Sequence, residues 1–456
     1  MGHPLAPHQT RALDFMDANR VGWIIYEAGT GKTIIALAWI VRALISGAIE
    51  NALILCPASL VARWWLEVDK LPSFDGFSQF DVDLLKESLT VMSISSVWRT
   101  EKRLRRHRDG TVSEEKVVLL KEALERPWGV VIVDESHRLG SHSTNITKAC
   151  LRLARHAKRR FLMTGTPDCG MYSKLYGQVS FLDPDRWTSW TAWMRQYVTS
   201  LDNFRKPKTY DVEGCEALKR QYGIVATLSQ CFDMPEAIDI DVPCSMTPAV
   251  RRMLKDLKKG DVSKHGLSVL STGTLPMKAY QVVSGFLMVD DGVVRVESPK
   301  GGALLDLLDG YDGKVVIVCK YRESIRILSK ALKTLGMAFH VFDGESVEPT
   351  WQTFQTDDSR AIIVQYQKAI GIDLYAACMM VLYEPTFSSL ELEQTKRRIW
   401  RKGQTNTCRY YHLYVPSGDP ERPTLEERTM RSVRAGVDVS SEMLAQWSKE
   451  EGWLNP

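Results

Sequence analysis

Several features are missing from this chain of 456 residues, and each absence narrows the field. Its nine cysteines never fall as C-x-x-C, and no Cys/His group has zinc-ligand spacing, so neither a zinc module nor a dithiol redox motif is indicated. They read as buried thiols of a reducing compartment. No stretch approaches the ~18 apolar residues of a membrane span, and the N-terminus lacks the apolar core of a signal peptide. The expectation is a soluble, cytoplasmic protein with no membrane partner. A strong charge of one sign is also absent: 59 Lys and Arg against 55 Asp and Glu leave a formal net charge of +4. That excludes a polycationic tail binder and confines any nucleic-acid contact to local patches. No nuclease, histone-reading or zinc module is visible. With 44% hydrophobic residues the chain can bury full cores, and its length suits about two to three domains.

What is there is concentrated in short stretches. Gly22-Trp23-Ile24-Ile25-Tyr26 is an apolar run bounded by glycine and predicts a buried strand. Glu27-Ala28-Gly29-Thr30-Gly31-Lys32-Thr33 follows as a Gly-rich turn, and Ile34 to Ile40 supply a helical run of small and branched apolar residues. A phosphate-binding loop requires this order. Glycines let backbone N–H groups curl around phosphate oxygens, and the helix N-terminus adds partial positive charge. Gly29, Thr30 and Gly31 would form the cradle, Lys32 would reach the β- and γ-phosphates, and the Thr33 hydroxyl would bind Mg²⁺. The first glycine of the general G-x-x-x-x-G-K-[ST] pattern is Tyr26 here. ATP and Mg²⁺ are the cofactors such a loop implies.

Gly129-Val130-Val131-Ile132-Val133-Asp134-Glu135-Ser136-His137 is the second strong signal, an apolar strand ending in two carboxylates. At the C-terminal end of a parallel strand, Asp134 would hold Mg²⁺ and Glu135 would polarise the attacking water. An acidic pair after a strand is common by itself; the phosphate loop upstream gives this one its meaning. Arg160 to Pro167 predicts another buried strand closing in hydroxyls and a glycine turn. Thr164 and Thr166 could bond His137 or Asp134 and report the nucleotide state, although Thr-Gly-Thr-Pro alone is only a turn. Gln9 suits either the edge of adenine or an exposed helix start. Asn51 to Cys56 predicts a strand that Pro57 stops, with Ser59 as candidate N-cap of a helix carrying Leu60, Trp64 and Glu67. Such a helix start can hold a nucleic-acid phosphate or simply cap a core helix. Ser93, in the alternating run Val91 to Ser95, joins Pro57 and Ser59 as a candidate contact. Lys102 to Arg108 is the densest basic cluster, either a solvated face or a phosphate contact.

Gly29-Thr30-Gly31-Lys32-Thr33, Asp134-Glu135-Ser136-His137 and Thr164-Gly165-Thr166-Pro167 together resemble motifs I, II and III of superfamily-two helicases and translocases. Pro57-Ala58-Ser59-Leu60 with Trp64 and Glu67, and Phe181-Leu182-Asp183-Pro184-Asp185, resemble the Swi/Snf-type ATPase branch. The resemblance extends through most of residues 5–200 and 297–435. It implies an α/β protein of two RecA-like parallel-sheet domains in tandem, with ATP in the cleft between them and nucleic acid lying across both. Gln9 then becomes the adenine reader. The expected boundaries are 1–200 for the first domain, 201–296 for a helical insertion and linker, 297–435 for the second domain and 436–456 for a helical tail.

In the middle, Trp187, Trp190 and Trp193 fall at helical spacing and read as a core stripe or, less simply, a base-stacking platform. Ala249 to Lys259 predicts a basic helix bearing Arg251, Arg252, Lys255, Lys258 and Lys259. Beyond it, apolar runs at Lys314 to Cys319, Phe339 to Phe342, Ala361 to Val364 and Met379 to Tyr383 alternate with helical patterns, predicting a second parallel α/β domain. It has no phosphate loop. Gln394 to Gln404 strongly resembles motif VI: Gln394, Arg398, Arg401, Gly403 and Gln404 match, and Trp400 replaces the usual histidine. Arg398 and Arg401 are expected as neighbours on one helical face, offered across the cleft to the γ-phosphoryl. Lys368 to Leu374 resembles motif V. Gly371 and Asp373 match, while Lys368 and Ala369 stand where that family usually has paired glycines, and Lys368 is a candidate nucleic-acid contact. The expected function is an ATP-dependent nucleic-acid translocase or remodeller, monomeric and acting on double-stranded DNA. The rivals are a strand-separating helicase on single-stranded DNA or RNA, and a nucleic-acid-binding scaffold with a vestigial ATPase.

Overall fold

The structure, a computed structural model, describes residues 3–106, 112–202, 205–259, 274–343, 350–369, 371–419 and 421–451. The chain divides into two compact units, 1–233 and 234–456. Each is built on an all-parallel six-stranded sheet. Among the described residues no helix is long and apolar enough to cross a membrane.

In the first unit the strands are β1 (Val21–Tyr26), β2 (Ala52–Cys56), β3 (Leu89–Ser93), β4 (Trp98–Arg106), β5 (Val112–Leu120), β6 (Trp128–Asp134), β7 (Ala157–Met163), β8 (Val198–Leu201), β9 (Pro207–Tyr210) and β10 (Gly223–Ala226). The sheet runs β10-β1-β7-β6-β2-β3. Its central strands are apolar on both sides because helices cover both faces. Ile24 and Tyr26 pack with helices Pro7–Ala18 and Lys32–Ile45, for example against Ala12, Met16 and Ile35. Trp23 and Ile25, one residue out of phase, pack on the other face with Val179, Trp193 and Leu218. The two-residue side-chain period of a strand produces this split. Gly177 lies where a Cβ would run into the Leu139 carbonyl oxygen, so only glycine lets helix Leu175–Leu182 lie against the short turn Ser136–Leu139. β4 and β5 form an antiparallel hairpin inserted between β3 and β6. The basic run enters it at Lys102; residues 107 and 108 lie outside the described residues. Trp187 and Trp193 are buried, and Trp190 stacks on Trp193 at 5.3 Å between ring centroids, which makes the tryptophan stripe core.

Residues 201–296 are shared between the units. β10 adds an edge to the first sheet, pairing Trp23 with Gly223, and the Glu27 carboxylate accepts from Leu228 N–H at 2.8 Å. β11 (Ala237–Pro243) is instead the edge of the second sheet, in register with β18 (Cys408–Tyr414). Strand edges need ladder partners, and each segment finds one on a different sheet.

The second unit also contains the hairpin β12 (Phe286–Val289) and β13 (Gly292–Arg295) and the strands β14 (Val315–Cys319), β15 (Phe339–Phe342), β16 (Ala361–Gln365) and β17 (Met379–Leu382). The order is β11-β18-β17-β14-β16-β15. A buried ion pair ties its helices to its strands. Lys300 is fully buried, its Nζ 2.5 Å from Glu426 Oε1 and donating to the Tyr383 carbonyl at 2.9 Å. Glu426 Oε2 accepts from Val415 N–H at 2.9 Å. Helix Ser441–Glu450 packs Leu444 into the same core.

Truncating one partner of a buried pair strands the other charge. Glu426→Ala is expected to lose about 3–5 kcal/mol in urea denaturation, while the double change Lys300→Met with Glu426→Leu loses far less.

Candidate active site

Every strand of a parallel sheet ends on the same side, and five of the first unit's strands deliver candidate residues there. β1 leads into the glycine loop. Gly29 and Gly31 have φ of +89° and +84°, conformations that a side chain resists, and Gly31 caps helix Lys32–Ile45. A Cβ on Gly31 would also collide with the Gln9 amide. Lys32 Nζ donates to the carbonyls of Tyr26 and Glu27 at 2.9 and 3.2 Å, and Thr33 is half-buried in the first helical turn.

Helix Pro7–Ala18 holds the loop from outside. His8 Nε2 donates to the Thr30 carbonyl at 2.8 Å, and Gln9 Nε2 donates to the same oxygen at 3.4 Å. Tyr26, at the position of the missing glycine, donates its hydroxyl to the His8 carbonyl at 2.9 Å. The tyrosine thus binds the helix that supports the loop. His8 went unnoticed in the sequence because nothing local marks it; its neighbour Gln9 was the visible feature.

β6 ends at Asp134, which is buried in an apolar surround. Its Oδ1 accepts from Glu135 N–H at 2.9 Å and its Oδ2 from Trp64 Nε1 at 3.3 Å. Burial pushes its pKa well above the usual carboxylate range; the Glu135 charge adds to this, and Lys32 opposes it. Glu135 takes a left-handed conformation at φ +49°, uncommon for a side-chain-bearing residue. That twist turns the chain into Ser136–Leu139. His137 Nδ1 lies 3.3 Å from both Glu135 Oε2 and Thr164 Oγ1, joining the end of β6 to the end of β7. Thr164 is therefore the partner of His137. Thr166 instead shapes the turn, its N–H donating to Thr164 Oγ1 at 3.2 Å. Trp64 and Gln178 were the partners the sequence hid: Gln178 Oε1 accepts from the Ser136 hydroxyl at 2.8 Å while its amide nitrogen donates to the Pro167 carbonyl at 2.7 Å.

β2 and β3 end side by side, with Cys56 paired to Ser93. The Ser59 expectation needs correction. The helix begins at Val61 with Leu60 at its cap, and Ser59 sits exposed within a single 3₁₀ turn, Ala58–Leu60. Pro57 has extended ψ and starts that turn ahead of the α-helix, so the serine stands one residue before the cap position. Pro57 is buried, and the Ser93 hydroxyl pairs with that of Ser95 at 2.7 Å.

In the second unit Lys368 is exposed at the end of the turn after β16. Ile370 lies outside the described residues, and Gly371 has φ +86°. The helix expected to carry both arginines ends at Lys396, and Arg398 and Arg401 lie in the turns beyond it. They are grouped by side-chain bonds rather than by helical spacing. Arg398 is buried, with Nε donating to the Gln394 carbonyl at 2.7 Å and Nη1 to the Ile372 carbonyl at 3.3 Å. Arg401 forms an ion pair with Asp373. Gln394 therefore contributes its backbone here. Gln404 is structural, its amide nitrogen donating to the carbonyls of Tyr375, Ala377 and Ile399. Trp400 donates to the Pro235 carbonyl at 2.7 Å, anchoring the turn beside β11.

The donor set suits Mg²⁺. Asp134 offers a buried carboxylate held by two donors, and Thr33 supplies a hydroxyl at the start of helix Lys32–Ile45. Among the described residues no group of three or more His, Cys, Asp or Glu side chains could cage a metal ion, and Mg²⁺ characteristically takes one or two protein oxygens and fills its shell with phosphate and water.

These features define a P-loop α/β unit followed by a second parallel α/β unit, the RecA-like tandem arrangement. Residues 8–264, more than half the chain, match the family described as SNF2-related domain, and the chain belongs to that family. It is 24% identical to the DNA repair and recombination protein RAD54-like of Drosophila erecta, over 97% of this chain and 64% of that protein. It is 23% identical to the RAD54-like protein of Gallus gallus, over 96% of this chain and 68% of that one. The chain thus spans about two-thirds of the length of these relatives. Among solved structures it is similar to the Sulfolobus solfataricus SWI2/SNF2 ATPase core in complex with dsDNA, at 19% identity and TM-score 0.41, over 98% of this chain and 94% of that one.

Because Asp134 is held neutral more easily in the fold than in the unfolded chain, its ionisation destabilises the metal-free protein as pH rises above the ordinary carboxylate pKa. Asp134→Asn is expected to raise metal-free stability by about 1–3 kcal/mol at about pH 8, with the gain disappearing near about pH 4. Denaturation midpoints at the two pH values check this.

Proposed function

We propose that this chain is an ATP-driven translocase on double-stranded DNA, working as a monomer. The family membership and the RAD54-like relatives support the class. The observation that carries the reading is the line Asp134–Glu135–His137–Thr164 at the sheet edge beside the Gly29–Thr33 loop.

In this reading Gly29, Thr30 and Gly31 receive the phosphates through their backbone N–H groups. Lys32 leaves the Tyr26 and Glu27 carbonyls for the β/γ-phosphates. Thr33 and Asp134 would hold Mg²⁺, which would supply charge neutralisation on the phosphates. Glu135 orients the attacking water and accepts its proton, with His137 holding the carboxylate in place. The buried setting of Asp134 makes a cation welcome there, since binding one removes the cost of an uncompensated charge. Gln9 reads the adenine. Arg398 and Arg401 neutralise charge on the transferring phosphoryl group, Arg401 steadied by Asp373, and Gly371 and Asp373 contribute to nucleotide binding. Pro57, Ser59, Ser93 and Lys368 contact the DNA backbone, and Thr164 and Thr166 relay the nucleotide state.

Duplex DNA is expected to stimulate hydrolysis more than single-stranded DNA or RNA, and affinity is expected to fall steeply with salt. Preferential stimulation by single strands or RNA would favour a strand-separating helicase, and no stimulated turnover at low salt would favour a scaffold. Lys32→Ala and Glu135→Gln should each lower kcat by at least ~10²-fold while duplex binding persists in a filter or anisotropy assay. Arg401→Ala should lower kcat by ~10³-fold with little change in nucleotide binding.

A further inference from the structure

The basic helix Pro248–Lys258 is not used by the proposed reaction. It buries Val250, Met253 and Leu257 and turns Arg251 and Lys255, both exposed, toward one edge of a cavity of about 270 Å³ in the second unit. With Lys258 they fall at i, i+4 and i+7, so the three cations line one rim. The cavity wall is apolar, formed by Met246, Leu254, Ala279 and Val283 with the ring of Tyr280. The Tyr280 hydroxyl is already used, donating to the Leu425 carbonyl at 2.9 Å and lying 2.6 Å from Thr429 Oγ1. Two acids border the cavity. Glu426 is paired with Lys300, while Glu451 sits beside Lys258, whose Nζ donates to its backbone carbonyl at 3.1 Å and whose charge faces its carboxylate, leaving Arg251 and Lys255 as the outward cations. The wall therefore offers an apolar side chain a dry seat, while the rim offers negative charge a cationic edge.

We infer that this cavity docks a short acidic peptide segment of a partner protein, seating one bulky apolar side chain between the helices Pro248–Lys258 and Leu275–Val283 while its carboxylates face Arg251 and Lys255. Apolar anchors in a pocket rimmed by polar contacts are the usual energetic centre of peptide recognition. A nucleic-acid backbone would use the cations but has no group for the apolar wall. The inference is independent of the ATPase reading, since none of these residues belongs to the proposed reaction.

The probe is a fluorescein-labelled synthetic peptide with Phe and Leu four residues apart among Glu and Asp, titrated against the full chain by fluorescence anisotropy. The charge-reversal pair Arg251→Glu with Lys255→Glu and the cavity-filling change Ala279→Phe should each weaken it by at least about tenfold, as should replacing its Phe and Leu by Ala. ATP turnover equal to that of the unaltered chain shows that each variant is folded. Unchanged peptide affinity in Ala279→Phe would overturn the proposal, leaving a polyanion rim only. Loss of duplex-DNA affinity in the charge-reversal pair, with duplex competing the peptide away and Ala279→Phe affecting neither ligand, would assign the face to nucleic acid instead. Peptide binding that appears only after deletion of residues 452–456 would make the chain's own end the occupant and equally overturn it.

Discussion

One buried carboxylate sets the terms for the first unit. Asp134 ends a strand that is buried along its whole length, and burial there penalises its charge. Two donors, Trp64 Nε1 and Glu135 N–H, hold it, and the Lys32 charge favours its ionised form. Both Asp134 oxygens are thereby turned toward fixed partners.

The surrounding architecture follows from the same edge. Parallel strands collect their C-terminal ends on one side, so residues far apart in sequence, such as Thr30, Ser93, Asp134 and Thr164, are brought to one rim of the sheet. What the strands deliver, the turns orient. Glu135 in a left-handed conformation and Gly177 at its close approach to Leu139 both fix the short segment that carries His137. A residue in each place that resisted its geometry would move the acid–histidine–threonine line as a whole.

The second unit repeats the sheet without the glycine loop and directs its polar groups differently. Its arginines are restrained by carbonyls and by Asp373, which limits the rotamers open to them. Its buried Lys300–Glu426 pair lies beneath the apolar cavity and links helix Pro299–Leu308 to the loop after β18. The same pair leaves Glu426 unable to repel an acidic ligand as a lone carboxylate would.

The strands and the glycine loop were legible in the sequence because their signals are local: apolar runs of strand length, glycines that permit positive φ, and a carboxylate pair at a strand tip. Motif spacing also made the arginines visible, although it misjudged their setting, since Lys396 ends the helix and Ile372 and Asp373 do the grouping. Ser59 was misplaced for a similar reason, a single 3₁₀ turn that composition does not signal. The partition of residues 201–296 was beyond local reading, because an edge strand is defined by the neighbour it pairs with. Sequence alone therefore determined which chemistry is present and roughly where each strand begins. Tertiary structure decided which groups share an environment, as with Trp64 on Asp134, His8 on Thr30 and Gln178 on Ser136, because burial and hydrogen bonding at long separation depend on packing that no local pattern encodes.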